Sequence, residues 1–122
     1  TVSVVRARFA ELTARQTALV DRSAELFLAG LFSTIDALLD QPMHKAIAGM
    51  PFPGDVQKAL VDQDGPITPL YRLILAYEQG QWDEMSELAG QVGVPEQVLP
   101  RAYAAAVSWA REFCEQGGVT RE

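Results

Sequence analysis

Apolar residues crowd every side of the segment 26–39. Leu26, Phe27, Leu28, Leu31, Phe32, Ile35, Leu38 and Leu39 go nearly all the way round it. Such a segment, read at helical spacing, is normally enclosed by other helices. The rest of the chain agrees in period: apolar residues recur at three and four almost throughout, and strand-like composition is confined to residues 1–5. The reading is an all-α fold, a compact multi-helix domain of antiparallel helical pairs, with at least five helices and no paired sheet. The 122 residues suffice for one domain spanning 1–122 and its own core, without disulfides.

The spacing predicts a first helix over roughly 3–16, with Val5, Phe9 and Leu12 on one face and arginines on the other. The apolar segment extends to a helix over 18–40, its central part, 24–39, surrounded by the others. Gly30 in its middle costs about 1 kcal/mol against alanine, and close approach of a neighbouring helix is its expected reason. Pro42 ends that pattern. Short helices follow at 42–48 and 54–61, separated by the turn Met50-Pro51-Phe52-Pro53-Gly54. Helices over 66–79 and 81–92 end at Gly80 and Gly93, and a last one begins at Pro95 and carries Leu99, Ala102, Ala106, Trp109 and Phe113 to Gly117-Gly118. These last three are expected to pack as successive antiparallel neighbours. Residues 119–122 are expected to fray. Leu31, Ile35, Ile74, Tyr77, Trp82 and Trp109 are the expected core.

Charge excludes some functions. Residues 1–22 carry Arg6, Arg8, Arg15 and Arg22 against Glu11 and Asp21, net +2, so −8 falls on the remainder of a chain whose total is −6. Between Arg72 and Arg101 the only charged residues are Glu78, Asp83, Glu84, Glu87 and Glu96. That surface repels nucleic acid. The longest charge-free apolar stretch, 26–35, is half of the ~20 residues a spanning helix needs. A cytoplasmic protein without membrane or nucleic-acid partners is expected, and the lone Cys114 fits a reducing compartment. The chain begins at Thr1 and not at Met, and is read as cut from something longer.

Few residues offer chemistry. His44, the single histidine, follows Asp36 and Asp40 at i, i+4, i+8, a ligand ladder if the helix were continuous; Pro42 interrupts it. Asp62-Gln63-Asp64-Gly65 begins like a calcium loop, but its glycine comes early and Leu73 stands where the loop needs glutamate. Cys114 follows Phe113 near a helix C-terminus, the wrong pole for a reactive thiolate, and is read as packing. No serine has a catalytic motif and no glycine-rich phosphate loop occurs, so neither a catalytic residue nor a cofactor is expected. The interaction candidates are Phe9, Met43, Met50 and Phe52. A homodimer is a possible state, with Val5, Phe9, Leu12 and parts of Phe27 and Phe32 as its donors.

An ordered set of segments resembles the C-terminal part of an HDOD domain, the HD-related output domain of bacterial signalling proteins, in the form fused behind an EAL-type cyclic diguanylate phosphodiesterase domain. The segments are Arg6-Ala7-Arg8-Phe9-Ala10-Glu11, Phe27-Leu28-Ala29-Gly30-Leu31-Phe32-Ser33, Asp36-Ala37-Leu38-Leu39 with Pro42-Met43, Ala59-Leu60, Gly65-Pro66, Ala76-Tyr77-Glu78-x-Gly80-x-Trp82, and Ala102-Tyr103 with Trp109-Ala110. The resemblance implies an HD-like helical fold without the metal ligands of HD hydrolases. It implies a regulatory, protein-interaction role in cyclic diguanylate signalling, with a protein partner or a neighbouring domain of the same parent chain. It places the phosphodiesterase and the first HDOD helices before Thr1. Two other readings rank below it: a tetratricopeptide-like adaptor, from the Ala76–Trp82 pattern, and a metal-dependent hydrolase using Asp36, Asp40 and His44.

Overall fold

The structure, a computed structural model, describes residues 2–116, with side chains through Phe113. The side chain of Cys114, the Gly117-Gly118 terminus and the tail 119–122 lie outside what is described. All regular structure among the described residues is helical. In chain order the helices are α1 (Val2–Ala14), α2 (Ser23–Leu31), α3 (Ile35–Leu39), α4 (Met43–Ala46), α5 (Gly54–Gln57), α6 (Thr68–Gln79), α7 (Trp82–Val92) and α8 (Val98–Gln116). A 3-10 turn, Val20–Arg22, leads into α2, and a π-turn, Lys58–Asp62, extends α5.

α1 is the hub. It packs on α2, α6 and α8, while α6 and α7 form an antiparallel hairpin. Its place explains why the strand-like composition of residues 1–5 yields helix: Ala7, Phe9, Ala10, Thr13 and Ala14 are buried by neighbours on more than one side, and tertiary burial overrides a weak β preference. Phe9, Leu26, Val56, Ile67, Leu70, Leu73, Ile74 and Leu99 are among the largest fully buried side chains, in one contiguous core.

The α1–α2 contact is set by Gly30. A Cβ placed there would lie 2.8 Å from the Ala7 Cα and 3.0 Å from the Arg6 carbonyl oxygen. Backbone meets backbone, so the expectation of close approach at Gly30 holds.

The predicted continuous helix over 18–40 is instead three pieces. The first division is at Ser23, whose hydroxyl donates to the Val20 carbonyl at 2.7 Å and closes the 3-10 turn ahead of α2. Ser33 and Thr34 make the second. The Ser33 hydroxyl donates to the Gly30 carbonyl at 2.7 Å, and Thr34 meets Ser3 at 3.0 Å. Hydroxyls that bond the local backbone compete with the helix ladder. Asp40, left-handed at φ 54°, closes α3. The all-round apolar segment is therefore not enclosed along its length: Leu31 and Ile35 are half-buried and Leu38 is 75% exposed.

α6 ends as its sequence predicts. Gly80 takes φ 72°, and the Gly80 and Gln81 N–H groups donate back to Tyr77 and Ala76 carbonyls at 3.2 and 2.9 Å. Trp82 then starts α7 and is 57% exposed, contrary to its expected place in the core. Its indole lies over the Gly80 turn and meets Tyr77 edge-on at 5.9 Å, so it covers a turn and not an interior. Ile74 is buried as expected, whereas Tyr77 and Trp109 are half-buried. α8 also departs from expectation: it lies along α1 and does not continue an α6–α7–α8 stack. Leu99, Ala102, Ala106 and Ala110 form its buried stripe, and the alanines permit that close approach.

Candidate protein-interaction surface

The Asp36/Asp40/His44 series is dispersed by the local backbone. Asp36 Oδ1 accepts the Ala37 N–H at 2.9 Å, Asp40 is the left-handed residue ending α3, and His44 lies beyond Pro42 on α4. Among the described residues no three His, Cys, Asp or Glu side chains converge as a metal would need. Asp62-Gln63-Asp64-Gly65 is a turn. Asp62 ends the π-turn, Gln63 is left-handed at φ 51°, and the Asp64 carbonyl accepts the Thr68 hydroxyl at 2.6 Å, anchoring the start of α6.

The four interaction candidates fare differently. Phe9 is fully buried and is corrected to a core residue. Its ring is held edge-on by Tyr77 and Tyr103, both at 5.3 Å. Met43, Met50 and Phe52 are half-buried and rest on the core, with Phe52 edge-on to Phe32 at 4.9 Å. They anchor the irregular stretch between α3 and α5. A hollow of about 420 Å³ opens beside them, lined by His44, Ile47, Met50, Lys58 and Asp62 among others. Val5, Leu12 and Phe32 likewise pack against the core, so the expected dimer donors are largely used within the chain.

Two polar assemblies hold the helices that shape the surface. Arg6 of α1 reaches Glu78 of α6 through Nε at 2.9 Å and Nη2 at 2.7 Å, and donates from Nη1 to the Ser33 hydroxyl at 2.8 Å. Both bonds converge on the one oxygen Oε1, and both side chains are only 14% exposed, which makes this charge-assisted pair stronger than a surface ion pair. Arg22 bridges Glu25 and Asp55, tying α2 to α5, and both carboxylates hold its guanidinium further protonated. Nearby, burial pushes the Tyr71 hydroxyl up to about 12, opposed by Arg6 and assisted by Asp36 and Glu78.

Exposed aliphatic side chains are scattered over α1, α3 and the turns, Leu38 and Val2 most of all, whereas the exposed aromatic groups lie on two flanks of α8. On one, Tyr103, 37% exposed, adjoins Tyr77, whose ring in turn meets Trp82. On the other, Trp109 stacks on Phe113 at 5.1 Å, meets Phe27 edge-on, and carries the Arg8 guanidinium 5.0 Å above its ring. Arg8 also binds Glu11 at 2.8 Å. Between α1 and α8 beyond it lies a second hollow of about 390 Å³, lined by Leu12, Arg15, Gln16, Val98, Arg101, Ala102 and Ala105. The helical period identified Trp82 and Trp109 as apolar. It could not show that each sits at the edge of its stripe, and although Arg8 and Tyr103 stand in segments that carry the resemblance, nothing in the sequence assigned them to a surface.

Fold and surface define an all-helical bundle whose exposed features are aromatic patches and basic or acidic ridges. No helix among the described residues is long and apolar enough to cross a membrane. The chain is similar to the cyclic di-GMP phosphodiesterase CdgJ of Vibrio cholerae, 28% identical over 112 residues, covering 92% of this chain and 26% of that protein. It is also similar to the uncharacterized protein YuxH of Bacillus subtilis, 29% identical over 114 residues, covering 93% of this chain and 27% of that one. The chain thus spans about a quarter of the length of these curated relatives. No family model matches it, and no solved structure does.

Proposed function

We propose that the chain is a non-catalytic regulatory and protein-interaction module, of the HDOD type, in a bacterial signal-transduction protein linked to cyclic diguanylate. The observation that carries this reading is that nearly the whole chain aligns with one quarter of CdgJ, a protein named for cyclic di-GMP hydrolysis. The geometry is in keeping with it. Phosphodiester hydrolysis by an HD-type fold needs metal ions held by several histidines and aspartates. Here the single histidine is exposed, and the two aspartates nearest in sequence are engaged in ending or starting a short helix. The acidic surface of α7 also opposes an anionic dinucleotide. Its partner is then a protein or a neighbouring domain of the same parent, and its compartment the cytoplasm.

The test is turnover by the purified chain. Incubated with cyclic diguanylate, and separately with a generic phosphodiester, each with magnesium or manganese, the chain is expected to release no product above buffer. Turnover that vanishes in His44→Ala would establish a hydrolase and reject this reading.

A further inference from the structure

The exposed face of α7 combines three features. Trp82 presents more than half its surface to solvent. Asp83 and Glu87, one turn apart, stand exposed beside it. Gly90, one turn further along, sits in the helix at a cost of about 1 kcal/mol against alanine. At Gly30 the same cost has a visible cause, a neighbouring backbone. At Gly90 a Cβ would meet nothing within 4 Å. An exposed indole is the kind of side chain that anchors an interface, and a glycine on the same helix face leaves room for another helix to come near.

The complement is on the same molecule. The hollow between α1 and α8 is lined by half-buried Leu12 and Val98, buried Ala102, exposed Ala105, and the arginines Arg15 and Arg101. Both arginines are exposed, Arg15 touching Glu11 at 3.3 Å through one nitrogen and keeping its other donors to solvent, in a chain whose net charge is −6. At about 390 Å³ the hollow has room for an indole. Ala105 offers a side chain small enough for a helix bearing glycine to come near. The two faces of one molecule do not meet. Tyr103, which points to the α6–α7 side through Tyr77, and Ala105, which lines the hollow, are about 200° apart around α8.

We propose that a second copy of this chain docks its α7 face in the α1–α8 groove, Trp82 entering the hollow, Asp83 and Glu87 pairing with Arg15 and Arg101, and Gly90 lying against Ala105. Because groove and ridge are different patches on opposite flanks, the contact is heterologous. It builds a ring or an open chain of copies in place of a two-fold dimer. The contact stands independently of the signalling role proposed above.

Sedimentation velocity on the 122-residue chain tests it. At low salt the wild type is expected to grow in mass with concentration past the dimer, and to shift back toward monomer as salt screens the arginine–carboxylate pairs. Trp82→Ala, which blocks the ridge, and Arg15→Gln/Arg101→Gln, which blocks the groove, are each expected to weaken association at least tenfold. Mixed together, these two variants retain one intact ridge and one intact groove, and are expected to stop at a 1:1 pair. Gly90→Leu, whose Cβ meets no intrachain atom within 4 Å, keeps the test open should Trp82→Ala lose its fold; it is expected to abolish association with an unchanged circular dichroism spectrum. A wild type that stays monomeric into the hundreds of micromolar, an association indifferent to Gly90→Leu, or a mixture that assembles no 1:1 pair overturns the proposal.

Discussion

At Gly30 the absence of one methyl group sets the distance between two helices. Alanine there gains about 1 kcal/mol of helix propensity but thrusts its Cβ to 2.8 Å from the Ala7 Cα, a backbone atom that cannot swing aside. Overpacking of this sort costs roughly 1–3 kcal/mol, and with backbone on both sides the upper part of that range applies. Gly30→Ala is expected to lower the urea midpoint clearly, whereas Gly90→Ala, with open space around it, is expected to raise it. Tyr71 gives a second prediction at this scale. Its hydroxyl is neutral in the fold up to about 12, while an unfolded tyrosine ionises near 10. The folded state thus holds the proton more tightly. The stability this represents is complete below pH 10 and is lost as pH rises through 12. Urea titrations at pH 8 and pH 11 are expected to show a smaller loss for Tyr71→Phe than for the wild type.

Between elements, the Arg6–Glu78–Ser33 assembly joins α1, the end of α2 and α6 at a point where apolar contact alone leaves orientation free. Removing one partner strands the other in a mostly buried place. Arg6→Ala and Glu78→Ala are each expected to cost about 2–4 kcal/mol, and the double variant less than their sum by about 1–3 kcal/mol, as a double-mutant cycle in urea would measure. Elements are also where sequence reading succeeded and failed most visibly. α6 and α7 were legible because apolar residues kept helical period between proline or glycine punctuation. The break at residues 32–34 was not, because Ser33 and Thr34 are ordinary helix residues until Arg6 and Ser3 arrive from another helix to occupy their hydroxyls. Phe9 and Trp82 exchanged expected places for a related reason. Period places an aromatic on a face, and only the neighbours decide whether that face is covered. Gly30 was legible because an interior helix glycine demands a cause; the groove between α1 and α8 was not, since its walls come from residues about 85 apart.

Over the whole molecule, one question is how many units the chain folds as. α8 is joined to the rest chiefly through α1, and the α6–α7 hairpin has its own short turn, so separate melting of these pieces is conceivable on connectivity alone. The core argues otherwise. Buried residues of α1, α2, α5, α6, α7 and α8 belong to one contiguous apolar cluster, and Phe9 at its centre touches both Tyr77 of α6 and Tyr103 of α8. Loss of either outer piece would uncover Phe9, and burying a phenylalanine is worth about 1.5–3 kcal/mol, a large part of what a small domain holds in reserve. The expected outcome is one cooperative transition. The two tryptophans make this measurable from opposite ends, since Trp82 reports on the α6–α7 turn and Trp109 on the Arg8 and Phe27 flank of α8. In Trp82→Phe and Trp109→Phe the remaining indole is expected to give a fluorescence transition that coincides with loss of far-ultraviolet circular dichroism for the same variant. A Trp109 signal that melts ahead of the helical signal would show α8 to be an independently detaching element, with α1–α7 as the cooperative unit.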